Sequence, residues 1–139
     1  MSDLRLRGFV EEMHSQNLEV SENSIITGCK DEEEVSAAIK SYLENGNPVD
    51  AIFARNDNLA CITMKTIQDM GYLVPKDIAV VGFDNSSLSR YVNPTLTTVE
   101  MQRGQIGKAA FDMLYQMIEE GEVPQPVTFG AKLLVRNSS

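Results

Sequence analysis

The chain has 139 residues, 42% of them hydrophobic and 23% charged, and its formal net charge is −8. Such a length and balance predict one globular domain with its own core. The negative charge and the scattered Lys and Arg residues argue against nucleic-acid binding by this chain itself, because phosphate contacts need clustered positive charge. No apolar run reaches the roughly 18 residues of a membrane span, and the charged N-terminus lacks a signal-peptide pattern, so we expect a cytoplasmic protein without membrane contacts.

Few residues are suited to nucleophilic or metal chemistry. His14 is the only histidine, and Cys29 and Cys61 lie 32 positions apart, so they form no CxxC pair. Zinc sites and Ser-His-Asp triads are therefore not expected. We expect neither a metal nor a cofactor, and no enzymatic activity.

Apolar spacing predicts the first elements in chain order. A helix should run from about Asp3 to Ser15, and Ser24–Gly28 should form a short strand. Acidic residues at Asp31–Glu34 suit the positive end of a second helix, which Gly46 should end. A metal site in this acidic run is disfavoured, because contiguous acids on a helix point in different directions.

A strand buried on both faces is predicted at Val49–Ala54. The helix after it should be capped by Asp57 or Asn58 and end at Gly71. Ile78–Phe83 should be a third strand. The inner face of this helix is expected to carry Leu59, Ile62, Thr66, Ile67 and Met70.

Three further elements follow: a short β segment at Thr97–Val99, a helix at Gln102–Gly121 and a strand near the C-terminus, in "KLLVRNSS". Strands that alternate with helices and are almost continuously apolar indicate an α/β fold in which a parallel sheet is sandwiched between helices.

Polar residues follow two of the predicted strands. Asn56 and Asp57 follow one strand, Asp84 follows the next, and one helix joins the two strands. Ends of parallel strands point the same way, so Asn56 and Asp84 should converge on one cleft. Carboxylate and amide groups, with Arg5 as a possible further donor, suit a sugar or another polyhydroxyl ligand.

Plainer interpretations stay open at this point. Asp57 may only cap a helix and Asp84 may only start a turn. A magnesium site of the phosphate-receiving type would need an acidic pair near the first strand and a lysine after a late strand, and the sequence shows neither. An α/β enzyme that uses Asp57 and Asp84 for acid–base chemistry lacks the remaining machinery.

Several stretches in order resemble one known family. They are "RLRGF" (5–9), "DAIFARNDNLA" (50–60), "GYLVPKDIAVVGFDN" (71–85), "NPTLTTV" (93–99) and the closing "LLVRNSS". Together they resemble the effector-sensing core of the lactose/galactose-repressor (LacI/GalR) family. That resemblance implies a periplasmic-binding-protein-like fold of type I, here an incomplete C-terminal lobe, and a small ligand held between two lobes.

The resemblance also implies roles for particular residues. Arg5, Asn56 and Asp84 match the positions that contact the effector, and Lys30 and Asp57 are possible further contacts in the effector loops. The aromatic residue that the family usually carries before the second helix is absent, and Met101 stands where a Gln often follows the "LTTV" segment, so the sugar is not identified.

Dimerisation is implied by the same resemblance. The family's dimer interface includes the helix after the Asn-Asp pair and the loop after "GFD". The matching residues here are Leu59, Cys61, Ile62, Lys65 and Tyr91.

Residues 1–97 and 127–139 match the C-terminal lobe, and residues 98–126 match a segment that in the family belongs to the N-terminal lobe. We expect the regulator to be a homodimer whose ligand alters operator affinity, with operator DNA bound only by an N-terminal helix-turn-helix that this chain lacks. The chain alone should bind ligand weakly, and its last helix should pair with another copy, exchange segments or stay exposed. The alternatives are a different DNA-binding head or a transport-type binding protein.

Overall fold

The computed structural model describes residues 4–121 and 123–139. Asp3, where the sequence starts the first helix, lies outside these residues. The elements in chain order are helix α1 (Leu4–Ser15), a 3-10 turn (Glu22–Ser24), α2 (Glu32–Glu44), strand β1 (Ala51–Phe53), α3 (Asp57–Asp69), β2 (Ala79–Phe83), α4 (Leu88–Tyr91), β3 (Thr97–Met101), α5 (Arg103–Glu119) and β4 (Ala131–Leu134).

The four strands form one sheet in the order β1-β2-β3-β4. β1 and β2 are parallel, with Ile52 opposite Val80, and β3 is parallel to β2, with Thr98 opposite Gly82. α3 connects β1 to β2, so the two strands form a βαβ unit whose carboxyl ends lie at the same edge. This confirms the predicted convergence of the two strand ends.

Helices cover both faces of the sheet. On one face, apolar side chains of α2 and α3 pack over β2, where Val80 and Gly82 are buried. On the other face, α1 stacks Phe9 on Phe53 of β1, with ring centroids 5.7 Å apart. The buried core consists of Ile39, Leu43, Ala54, Ala60, Met64, Ile67, Ile78, Val80 and Leu96.

Ser138 lies inside the sheet although it is close to the end of the chain. Its hydroxyl donates to the Val80 carbonyl at 2.6 Å and accepts from the Thr97 N–H at 2.8 Å. Its own carbonyl accepts from the Val80 N–H at 2.7 Å. Ser138 therefore bridges β2 and β3 where β3 begins.

The expected α/β fold is confirmed: β1, β2 and β3 are parallel and helices flank them, while β4 adds an antiparallel strand next to β3. Two expectations about individual strands are wrong. Ser24–Gly28 forms no strand, because no neighbouring strand pairs with it. The strand expected at 49–54 is shorter and not buried on both faces, because β1 lies at the edge of the sheet and Ala51 is exposed.

Helix starts follow the capping rules, with one correction. Asp31 caps α2 by accepting from the Glu34 N–H at 2.9 Å, and Gly46 follows the helix with φ of +73°. α3 is capped by Asn56, not by Asp57 or Asn58, because the Asn56 side chain accepts from the Leu59 N–H. Its inner face is also shifted: the buried residues of α3 are Asp57, Ala60, Thr63, Met64, Thr66 and Ile67.

Apolar side chains of α5 are poorly covered. The helix contains no buried residue, as is also true of α1, and Phe111 and Ile118 are 66% and 70% exposed. Among the described residues, no helix combines the length and the apolar character that a membrane crossing needs.

Candidate functional site

Arg5 joins the ends of β1 and β2. Its Nη1 donates to the Arg55 carbonyl at 2.9 Å, and its Nη2 lies 4.0 Å from Oδ1 of Asp84. The guanidinium carbon also lies 4.3 Å from the centre of the Phe83 ring, a cation–π arrangement. The structure therefore brings Arg5 and Asp84 together and holds Arg5 on the residue that precedes Asn56.

The two polar groups of the Asn56 side chain have different roles: the oxygen caps a helix, and the NH2 group can contact another molecule. Its Oδ1 accepts from the Leu59 N–H at 2.9 Å and caps α3. The Nδ2 group has two protons and is the donating end of the amide. Because Asn56 is only half-buried, it can cap α3 and still present a donor at this edge of the sheet.

Asp84 lies in a turn whose backbone conformation is rare for residues other than glycine. Its φ is +103° and that of Asn85 is +46°, both in the region that favours glycine. The Asp84 N–H is held by the Val99 carbonyl at 2.8 Å. This turn directs the chain away from β2 and leaves the Asp84 side chain one-third exposed.

Arg103 is a second guanidinium group next to Asp84. Its Nη2 donates to the Asp84 carbonyl at 2.6 Å and lies 4.0 Å from Oδ1 of the carboxylate, the same oxygen that Arg5 approaches. Both side chains are partly exposed, so these pairs are screened by water and contribute little to stability.

A cleft of about 420 Å³ opens beside Asp84. Its walls come from the turn after β2, the end of β3 and the first turn of α5. The lining residues are Asp84, Asn85, Glu100, Met101, Gln102, Arg103, Gly104 and Gln105. Carboxylates, amides and a guanidinium line this cleft, so it offers both donors and acceptors to a polar molecule.

Asn85 is fixed within this wall. Its Nδ2 donates to Glu100 at 2.7 Å, and its Oδ1 accepts from Nη2 of Arg136 at 2.8 Å. Arg136 also donates to the Leu96 carbonyl at 2.7 Å. The segment after β4 therefore supports the turn that carries Asp84.

Asp57, a possible further effector contact in the sequence analysis, is enclosed by the protein. Its side chain is 1% exposed, and both carboxylate oxygens are occupied. Oδ2 accepts from the Ser86 N–H and Oδ1 from the Thr98 hydroxyl, each at 2.5 Å. Asp57 therefore lies behind the cleft rather than in it.

Lys30 lies in the exposed loop before α2. Its backbone N–H donates to Glu34 at 2.9 Å, and its contact with an effector stays a prediction. Within residues 4–121 and 123–139, no group of three His, Cys, Asp or Glu side chains could hold a metal ion.

The residues predicted at a dimer interface lie on α3 and α4. Leu59, Cys61 and Ile62 are half-buried, Lys65 is exposed and pairs with Asp69, and Tyr91 is 85% exposed. Burial, and secondarily the Asp57 carboxylate, raises the pKa of the Cys61 thiol. No partner chain is present, so the interface stays a prediction.

Sequence reasoning missed Arg103, Asn85 and Glu100. The rule that selected Asn56 and Asp84 also applies to the third parallel strand, whose carboxyl end is followed by Gln102 and Arg103. That signal could have pointed to Arg103. The role of Asn85 depends on Arg136, 51 residues away, and has no local signal.

Comparisons with known proteins agree on one family. The family model described as a periplasmic binding protein-like domain matches residues 1–139. The HTH-type transcriptional repressor PurR of Escherichia fergusonii is 33% identical over 135 residues, which are 96% of this chain and 40% of the repressor. The chain thus spans about two fifths of that curated relative.

Solved structures show the same architecture. A putative LacI-family regulator from Sanguibacter keddieii is 34% identical, with a TM-score of 0.86 over 97% of this chain and 52% of that one. A cellobiose complex of the regulator CelR is 29% identical, also with a TM-score of 0.86, over 97% of this chain and 42% of that one.

Proposed function

This chain belongs to the periplasmic binding protein-like domain family and to the effector-binding cores of the LacI/GalR regulators, and we propose that it binds a small polar effector at Arg5, Asn56 and Asp84. The effector is a sugar or a sugar derivative. The observation that carries this proposal is the position of Arg5, which contacts the ends of both strands at once. The cleft beside Asp84 offers space for part of the ligand, and of the three proposed contacts only Asp84 is among its lining residues.

The chemistry of the site favours hydroxyl groups. The Asp84 carboxylate accepts two hydroxyl protons, Asn56 donates from Nδ2, and Arg5 donates in a planar fork. The cellobiose complex of CelR, whose fold matches this chain closely, supports saccharides as the first ligands to test. Asp57 takes no direct part, because its oxygens are already bonded.

In this proposal the chain is a binding module rather than an enzyme, and it acts in the cytoplasm. The effector binds one arrangement of the two lobes more tightly than another, and that difference changes operator affinity. An N-terminal helix-turn-helix domain outside these residues binds the operator. The net charge of −8 fits this division, since it disfavours phosphate contacts by the sensor itself.

Two further parts of the proposal concern assembly. The regulator is a homodimer that uses Leu59, Cys61, Ile62, Lys65 and Tyr91; the exposure of Tyr91 on the surface supports this. Residues 98–126 are assigned to the N-terminal lobe of the core; the absence of buried residues in α5 supports this for the helix, whereas residues 98–101 lie in β3 of the sheet described above.

Calorimetric titration of the full-length regulator, in which both lobes of the core are present, with a panel of mono- and disaccharides that includes cellobiose tests the effector site. We expect Asp84→Ala to weaken binding of any active saccharide by roughly tenfold to a hundredfold, because hydrogen bonds to a charged group are lost. Asp50→Ala, at an exposed carboxylate outside the cleft, should leave affinity unchanged. Equal losses in both variants would contradict the assignment of Asp84.

A further inference from the structure

Three successive N–H groups after β2 are each bonded to a different part of the domain. The Asp84 N–H donates to the Val99 carbonyl at 2.8 Å, and the Asn85 N–H to the Thr98 hydroxyl at 3.2 Å. The Ser86 N–H donates to Oδ2 of Asp57 at 2.5 Å. Because positive φ angles at Asp84 and Asn85 are unfavourable for residues with a side chain, the surrounding contacts must hold the turn in this shape.

Asp57 controls two of these three bonds. It holds Ser86 directly, and it also accepts the Thr98 hydroxyl proton at 2.5 Å. A hydroxyl has one proton to donate, so Thr98 gives its proton to Asp57 and uses a lone pair for the Asn85 N–H. The Asp57 carboxylate therefore holds Ser86 through a direct hydrogen bond and holds Asn85 through the Thr98 hydroxyl.

The position of Asp57 is itself tightly defined. The side chain is 1% exposed. A Cβ atom at Gly82 would lie 2.5 Å from Oδ1 of Asp57, so even the smallest side chain on β2 would collide with it. The carboxylate has only the space that the two hydrogen bonds require.

We propose that Asp57 is a positioning residue of the effector site, which holds the turn at Asp84 and Asn85 in its unfavourable conformation through Ser86 and Thr98. The inference rests on the proposed function only in calling this site an effector site. Its structural part, the support of the turn by Asp57, does not depend on any ligand. The adjacent residues Asn56 and Asp57 thus have separate tasks: Asn56 caps α3, and Asp57 holds the turn through Ser86 and Thr98.

Backbone amide exchange measured by NMR on the 139-residue chain tests the structural part. Asp57→Asn keeps the size of the side chain but replaces one acceptor oxygen by a donor, so it cannot accept from both Ser86 and Thr98. We expect exchange at the amides of Asn85 and Ser86 to accelerate by about tenfold or more beyond any change in the amides of α2. The Ser86 amide resonance should also move upfield as its short hydrogen bond is lost.

Thr66→Val is the matched control. Thr66 is buried on the same helix, and its hydroxyl bonds the Ile62 carbonyl and Ser36, away from the turn. This variant should change exchange in the turn no more than in α2. If Asp57→Asn changes exchange at the Asn85 and Ser86 amides no more than at the amides of α2, the inference is wrong.

Thr98 provides a second pair of variants should Asp57→Asn fail to fold. Thr98→Ser keeps the hydroxyl and should preserve protection at Asn85, whereas Thr98→Val removes it and should lose that protection by about tenfold. Equal protection of the Asn85 amide in the two Thr98 variants would show that the Thr98 hydroxyl does not hold Asn85.

Titration with the same saccharide panel tests the link to binding. If a saccharide binds the unaltered protein, Asp57→Asn should weaken it by about tenfold while Thr66→Val does not. Unchanged affinity together with a loosened turn would overturn the positioning role. If no saccharide binds the unaltered protein, the proposed effector class fails, and the exchange measurements alone decide whether Asp57 holds the turn.

Discussion

Gly82 lies in the middle of β2, directly behind the turn that carries Asp84. A Cβ at this position would lie 2.5 Å from Oδ1 of Asp57, 3.0 Å from a methyl group of Leu96 and 3.2 Å from Cβ of Ala60. All three neighbours are buried and none is the free end of a long side chain. The need for glycine here comes from packing, since Gly82 does not have a positive φ.

Gly82→Ala should therefore lower the free energy of unfolding by about 1–3 kcal/mol, the usual cost of overpacking a buried site. Urea denaturation measures the change. Gly8→Ala is the control, because a Cβ there meets nothing within 4 Å and alanine favours the helix. A Gly82→Ala variant as stable as the unaltered chain would show that Asp57 can move.

Single residues differ in how far the sequence predicts them. The order of strand and helix fixes which strand ends meet, so it predicts that Asn56 and Asp84 lie at the same edge of the sheet. The approach of Arg5 from α1 to Asp84 is expected only from the family resemblance. The interior position of Asp57 could not be predicted. It depends on Ser86 and Thr98, which lie 29 and 41 residues further along the chain.

At the scale of elements, α3 links the candidate site to the candidate dimer surface. Its first residue is the buried Asp57, and Cys61 lies one turn later on the same helix. Both burial of the thiol and the nearby Asp57 carboxylate oppose formation of a thiolate, which raises the pKa of Cys61 above its ordinary value of 9.0.

This shift predicts slow alkylation of Cys61. Cys29→Ser leaves Cys61 as the one thiol in the sequence, and its reaction with iodoacetamide at pH 8 should be slower than in the same protein unfolded in urea. Because the pKa of Cys61 is higher in the folded than in the unfolded protein, the neutral thiol favours the folded state. Its contribution to the free energy of unfolding is present below the unfolded pKa and is lost as pH rises through the folded pKa. Equal rates in the folded and unfolded protein would contradict the shift.

Helices followed from the sequence more closely than strands. The apolar spacing and the caps of α2 come from residues within one or two turns, so local sequence contains the signal. Strands depend on partners instead. The stretch at Ser24–Gly28 has strand-like composition but no neighbour, and β4 has the composition of either a parallel or an antiparallel strand.

For the whole molecule, exposed apolar side chains are spread over several elements, and two groups of them concern assembly. One group, Leu88 and Tyr91, lies on α4, which packs against α3, and the other runs along α5 and includes Phe111 and Ile118. Exposed apolar side chains grouped in this way are typical of surfaces that bind another protein surface. The proposal assigns the first to a second copy and the second to the other lobe of the core.

Sedimentation velocity of the 139-residue chain tests this division. We expect a species of twice the 15.4 kDa chain mass, and we expect Ile62→Asp or Tyr91→Asp to weaken its formation by roughly tenfold or more. Ile118→Asp on α5 is the contrasting variant. If only Ile118→Asp dissociates the dimer, self-association uses α5 and the proposed interface is wrong.

Ser138 also has a consequence for biosynthesis. It bonds Val80 and Thr97, residues that precede it by 58 and 41 positions. This junction between the two central strands therefore cannot close until residue 138 has been synthesised. Contacts between such distant positions form slowly, so we expect β2 and β3 to be joined at Ser138 late in folding, after the contacts between nearer residues of the core have formed.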